Sequence, residues 1–319
     1  MTSTNEPWTG PVIDAHHHVW DPAAHFYPWL SGDLLVPHRY GDYTSIKRRY
    51  LPDDYRRDVA GQNLVASIYC EAEWDPTDPI GETRYVTALA EASGLPNAMV
   101  AQGWLDRDDV AEVLAGQAAF PLVRSIRHKP GGPASPAAVG HGERTLMCDE
   151  RWRRGYALLA RHGLHFDLQV PWWNLPEADL LARDFPDTLL IVDHTGVPND
   201  RDPQTLAGWR RGMERVAARP NTAVKISGLC IRDRPWSTAD NAQVILDTIS
   251  MFGPERVMFG SNFPVDGMFA TFARIFDTFR EVTASFDEAA KRAMFHDTAA
   301  RIYRPLRLGS PAGTAPSDL

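Results

Sequence analysis

Short runs of β-branched and aromatic residues recur along this chain, each separated from the next by a stretch with helical patterning. The runs lie at about 11–18, 64–73, 97–104, 121–128, 164–170, 188–194, 222–228 and 256–262, with starts roughly 24 to 53 residues apart. Strands alternating with helices at this spacing imply βα units and a parallel sheet. Eight such units within 319 residues predict an α/β fold, a (β/α)8 TIM barrel. The competing open, doubly wound sheet usually carries a Gly-rich turn after its first strand. Here that position reads His16-His17-His18-Val19-Trp20-Asp21, and there is no P-loop.

Helices are expected at Ile80–Ser93, stopped by Gly94-Leu95-Pro96, and at Asp149–Arg161, stopped by His162-Gly163. Pro176–Arg183 and Asp240–Met251 are two more. Two long loops distort the barrel. Residues 19–57 follow strand one and should lie over the mouth, and residues 129–145 follow strand four as a second flap. The expected domains are an N-terminal extension at 1–10, the barrel at 11–308 and a disordered tail at 309–319.

The chain is 23% charged with a net charge of -8 and no basic block, which argues against nucleic acid or anionic membrane as partners. No apolar run approaches the roughly 20 residues that cross a bilayer, and Met1–Gly10 shows no leader pattern. Cys70, Cys148 and Cys230 are odd in number and far apart, so no disulfide framework is expected. A cytoplasmic protein acting on a small-molecule substrate is the simplest expectation, with homo-oligomerisation left open.

Residues two apart on a strand face the same side. His16 and His18 should therefore project together into the barrel, with His17 outward. Such a pair can hold one metal ion or one polar substrate group, or form a hydrogen-bonded core pair. Glu71 and Glu73 share this spacing at the end of strand two, and Glu71 is favoured as functional. Ser125-Ile126-Arg127-His128 ends strand four. Arg127 or Arg124 offers a planar fork for a carboxylate, unless Arg127 is spent on Glu71 or Glu73. Gln169 and Trp172 follow strand five, and Asp193-His194 closes an apolar strand six, where burial demands a purpose or a partner. Asn262 ends strand eight, with Asp266 four residues on. Trp20, Trp74, Trp104, Trp172 and Trp173 all follow strands, so a barrel brings them to one rim as an aromatic wall or as loop packing.

Ile13-Asp14-Ala15-His16-His17-His18-Val19-Trp20-Asp21-Pro22, followed by Tyr27-Pro28-Trp29-Leu30, resembles the amidohydrolase superfamily. More narrowly it is similar to the lactone hydrolases of the amidohydrolase-related branch: fuconolactonases, rhamnonolactonases, sulfomuconolactone hydrolases and pyrone-dicarboxylate lactonases. The likeness continues through Ile68-Tyr69-Cys70-Glu71-Ala72, Ile126-Arg127-His128, Phe166-Asp167-Leu168-Gln169, Val192-Asp193-His194-Thr195-Gly196 and Phe259-Gly260-Ser261-Asn262-Phe263-Pro264. The resemblance implies a distorted TIM barrel in which His16, His18 and His194 line the site. It implies either one zinc-like divalent ion on these three histidines or no metal at all. The absence of the superfamily's strand-four lysine and strand-five histidine argues against a binuclear center.

One position departs from the pattern. Asn262 stands where the branch most often has an aspartate, and an amide cannot serve as a general base. His194, Glu71 and Asp266 are then the candidates to take the proton, in that order. The expected catalytic set is His16, His18, His194, Asn262 and Glu71. The expected substrate-binding set is Arg124, Arg127, His128, Gln169, Trp172, Trp74 and Asp266. The expected reaction is hydrolytic opening of a lactone of a small sugar acid or aromatic-derived acid. The alternatives are a metal-dependent non-oxidative decarboxylase on the same fold, and a catalytically silent barrel that binds a metabolite.

Overall fold

The computed structural model describes residues 6–308. Eight parallel strands follow one another around a barrel in chain order: β1 Val12–His17, β2 Leu64–Cys70, β3 Ala98–Gln102, β4 Val123–Arg127, β5 His165–Leu168, β6 Leu190–Val192, β7 Thr222–Ile226 and β8 Val257–Phe259. Each falls inside a run anticipated above. Helices α1 Pro52–Asp58, α2 Gly81–Ser93, α3 Val110–Ala118, α4 Pro136–Gly140, α5 Glu150–Tyr156, α6 Leu175–Asp184, α7 Pro203–Ala217, α8 Thr238–Phe252 and α9 Phe272–Val282 come between and after the strands. α10 Glu288–Arg292 and α11 Thr298–Tyr303 are short and pack at the N-terminal ends of the strands. No helix among the described residues is long and apolar enough to cross a membrane.

The main apolar core lies between barrel and helices. A second, smaller cluster fills the barrel bore with Ile13, Ala15, Ala66, Ile68, Cys70, Ala98, Val100, Ile191, Ala223 and Met258, plugged from below by Tyr303. Small residues dominate because eight inward rows converge there.

The seam between β1 and β8 is closed by side chains together with two backbone hydrogen bonds, His18 N to Phe263 O (2.7 Å) and Asn262 N to His16 O (2.8 Å). Oδ1 of Asp14 accepts from the backbone N–H groups of Ser261 (2.8 Å) and His16 (3.1 Å), and Oδ2 accepts from the hydroxyls of Ser261 (2.6 Å) and Tyr55 (2.8 Å). Burial pushes the Asp14 carboxyl up to about 6 despite these four donors. The strands approach so closely that a Cβ on Gly260 would stand 2.8 Å from the His16 Cβ, so this position has no room for a side chain.

The structure adds detail at three places. The loop at 19–57 does reach the mouth, but its last part winds into α1, started by Pro52 and a side-chain bond from Asp54 to the Leu51 N–H. The flap at 129–145 contains α4 and leans on Trp173, whose Nε1 donates to Pro133 O (2.8 Å), so only its first residue borders the mouth. The 1–10 segment is not wholly an appendage: Trp8 is buried and stacks on Phe295, and Lys291 donates to Glu6 O. The tail expected at 309–319 lies outside the described residues.

Candidate active site

A β-bulge in β1 aims the first two histidines. Asp14 pairs with Ser67, but His17 pairs with Tyr69, so three residues on one strand span two on the other. Ile13 and Ala15 face the bore, Asp14 faces the helices, and the extra residue then turns His16 inward directly after Ala15. His17 points outward and stacks on Tyr55 at 4.2 Å. His16 and His18 therefore share the interior, with ring centroids 5.1 Å apart, and His194 stands 4.5 Å from His16.

The turn after β6 holds His194, Thr195 and Val197 at φ of 53°, 51° and 53°, and Asn262 after β8 lies at φ 55°. Left-handed backbone is costly for β-branched residues and tends to persist where geometry serves a site.

Hydrogen bonds fix which ring atoms are available. Nδ1 of His18 donates to Cys70 O (2.7 Å), because a carbonyl can only accept, so Nε2 of His18 keeps its lone pair. Nδ1 of His194 pairs with Ser227 Oγ (2.8 Å). Nδ2 of Asn262 donates to Asp266 Oδ1 (2.7 Å), which leaves the Asn262 carbonyl oxygen as its free acceptor. Burial, then nearby cations, hold all three imidazoles well below the usual histidine range, so they are neutral at pH 7.

Beneath this layer lies a charged one. Lys225 is fully buried, 2.5 Å from Asp167 and 3.5 Å from Asp193. Burial pulls its ammonium down, but the two aspartates outweigh it and carry Lys225 up to about 12. Ser125 and Tyr303 hydroxyls complete Asp167 at 2.6 and 2.8 Å. Asp193 sits 3.4 Å from His16 Nδ1 and 3.7 Å from Arg127.

Above the histidines, at the C-terminal ends of the strands, an inner cavity of about 50 Å³ opens into an outer bowl of about 330 Å³. His18, His194, Asn262 and Arg127 line the inner part, and Trp29, His38, Arg39, Glu73, Lys129 and Gln169 border both. A larger concavity of about 750 Å³ sits at the opposite end of the barrel, among Arg256, Arg292 and Arg301. Barrel active sites form at the C-terminal face, and His18 and His194 open there, whereas His16, expected in the catalytic set, is fully buried beneath them and does not line the cavity.

Several expected residues stand elsewhere. Arg124 is on the other face of β4 from Arg127 and caps the carbonyls of Val123 and Arg304, so it cannot meet a substrate. His128 accepts through Nδ1 from Leu105 N (3.1 Å) and Trp152 Nε1 (2.9 Å), away from the cavity. Trp74 packs with Tyr27 and Tyr85, and Trp172 against Gly208 of α7. Trp20 underlies His18, so the rim tryptophans are loop packing, and Trp29 is the one that faces the bowl. Glu71 lies behind the wall, bound to Arg127 Nε (2.5 Å) and to Glu73 N (2.7 Å). Asp266 is buried behind Asn262. His38, Arg39 and Lys129 were not singled out from sequence, because two of them lie in an irregular loop without periodicity. Lys225 was not singled out either, although a lone charge in the apolar run Thr222–Ile226 was the signal that could have found it.

The three histidines do not converge their ring nitrogens on one point. Among the described residues, the set of His, Cys, Asp and Glu donors all within 4.8 Å of one another is His16, Cys70 and Asp193. His18 and His194 of the expected set are each tethered at Nδ1. The donors still suit a divalent ion in kind. Both ring nitrogens of His16 and both oxygens of Asp193 are buried without hydrogen-bond partners among the described residues.

A family model described as Amidohydrolase matches residues 13–304. The chain belongs to this family. The amidohydrolase is 38% identical over 293 residues to an uncharacterized protein of Sinorhizobium fredii, covering 92% of this chain and 98% of that one. It is 30% identical over 305 residues to an L-fucono-1,5-lactonase of Burkholderia multivorans, covering 91% and 95%. A Burkholderia multivorans amidohydrolase solved with bound HEPES superimposes with a TM-score of 0.77 at 28% identity, covering 92% of this chain and 99% of that chain. A second crystal form, with bound zinc, gives 0.76.

Proposed function

We propose that this amidohydrolase opens a lactone of a small sugar acid or aromatic-derived acid by attack of water on the ester carbonyl, with His194 as the base. The observation that carries this reading is the convergence of His18, His194, Asn262 and Arg127 on one small cavity at the C-terminal ends of the strands. The lactonase name borne by a relative 30% identical over nearly its whole length supports the same chemistry.

With the Nδ1 proton of His194 given to Ser227, the Nε2 lone pair takes the proton of the attacking water. The Asn262 carbonyl oxygen accepts the water's second O–H and orients it. As the carbonyl carbon becomes tetrahedral, Arg127 faces the developing oxyanion, held by Glu71 and by Gln169 Oε1 (3.1 Å). Collapse breaks the ring C–O bond, and the proton returns from His194 to the leaving oxygen. The product is the open hydroxy acid. A divalent ion on His16 and Asp193, when bound, would add Lewis-acid polarisation of the carbonyl.

Replacing His194 by Ala should lower kcat by about 10²-fold or more while the melting temperature stays near that of the parent. Turnover of sugar-acid and aromatic-acid lactones by the wild type that survives His194→Ala undiminished would refute its role as base.

A further inference from the structure

Three basic side chains border the inner cavity, and two are already answered by the protein. Arg127 is paired with Glu71, and Lys129 with Glu73. Arg39 is different. It has no carboxylate within ion-pair distance among the described residues, and its Nη1 is buried there without a hydrogen-bond partner. The Arg39 guanidinium carbon lies 4.5 Å from the centroid of the Tyr40 ring, a stack that uses the flat face and leaves the N–H edge free.

The backbone makes room for this group. Gly228, at φ 59°, has no Cβ, and one built there would meet Arg39 Nη2 at 2.5 Å and His194 Nδ1 at 2.5 Å. The fork is therefore wedged beside the ring of His194. The charge of the Asp266 carboxylate also reaches Arg39, but the two stand beyond ion-pair distance, with Oδ1 of Asp266 taken by Asn262 and Oδ2 buried without a hydrogen-bond partner among the described residues, so the guanidinium keeps its free edge.

A desolvated guanidinium N–H without an acceptor is costly, and a sugar hydroxyl answers one N–H without balancing the charge. A carboxylate answers both, through two parallel bonds. We propose that Arg39 is an anion-binding group and that the natural lactone carries a free carboxylate besides its ester carbonyl. This substrate class rests on the lactone-hydrolase reading above, while the anion site itself rests on Arg39 alone.

The test is calorimetric titration with two probes that differ by one carboxylate, glucaro-1,4-lactone and glucono-1,4-lactone. The wild type should bind the acidic lactone at least tenfold more tightly. Arg39→Met should cost the acidic lactone about 10- to 100-fold, the scale of a charge-assisted bidentate contact, and cost the neutral lactone far less, so that the preference between the two disappears. Arg39→Lys, which keeps the charge and loses the fork, should fall between. Equal binding of both probes by the wild type, a preference that survives Arg39→Met, or binding of neither probe would overturn the proposal. Arg39-dependent binding without hydrolysis would leave the anion site standing and sink the lactonase. Hydrolysis of the neutral lactone with no Arg39 dependence would do the reverse.

Discussion

Asn262 and Asp266 meet at 2.7 Å through an amide N–H that donates to the carboxylate, a contact between a neutral donor and an acceptor that two ionised carboxylates could not make. Burial raises the Asp266 carboxyl to about 6, and Arg39 and Asn262 restrain the rise. Changing Asn262 to Asp would set two carboxylates at hydrogen-bond distance, where they must share a proton. We expect Asn262→Asp to approach wild-type kcat/KM in mild acid and to fall tenfold or more below it by pH 8, as the second proton leaves. A pH profile of the two proteins checks this, and parallel profiles would show that Asn262 does not face the reaction. Glu82 offers a matching test on stability. It is buried, its Oε1 accepts from Tyr69 OH and Ala72 N (2.7 Å each), and burial followed by the charge of Glu71 pushes it up to about 8. The folded state therefore holds a proton that the unfolded chain has released above its ordinary pKa near 4.5. Stability from this group is full below that value and declines as pH rises toward 8, by on the order of 1 kcal/mol per pH unit. Glu82→Gln should flatten this slope, so denaturant titrations at pH 5 and pH 7.5 should show the variant gaining on the parent at the higher pH.

At the scale of elements, the eight strands were legible as β-branched and aromatic runs, and the helices near 80–93, 149–161, 176–183 and 240–251 from their period, the first two with a Gly stop, whereas α3, α7 and α9 were not singled out. That His16 and His18 share one side was legible from alternation, but the inward turn of that side after Ala15 depends on the bulge. The bulge, which turns Asp14 away from them, was not legible, because it depends on the register of β1 against β2. The tryptophans misled for a similar reason. Sequence places Trp74 and Trp172 after strands, but only tertiary contacts show that Trp74 is buried under a loop and Trp172 is half-buried against a helix. Trp172 in particular rests on Gly208 of α7, where an added Cβ would lie 2.5 Å from its ring. Gly208→Ala should thus cost about 1–3 kcal/mol through overpacking, despite the better helix propensity of Ala. Chemical denaturation measures this, and a gain in stability would mean that Trp172 yields freely.

Across the whole molecule, the interior is layered from apolar at the base, through the Lys225–Asp167–Asp193 charges, to neutral imidazoles at the mouth. The order of strands predicted the barrel, since eight βα units leave few other closures. The inner layers followed from chemistry-bearing residues at strand ends, such as Asp193 and His194. Loop residues such as Arg39 and Lys129 carry no period and were found only in three dimensions. The central claim is that this stack delivers water to the carbonyl carbon of a lactone. Turnover of carboxylated and neutral sugar-acid lactones in ¹⁸O-labelled water tests it most directly, with the product read by mass spectrometry. The account predicts one ¹⁸O per turnover in the newly formed carboxylate, and none in the released hydroxyl. Label in the hydroxyl, or no ring opening of any such lactone, would contradict it.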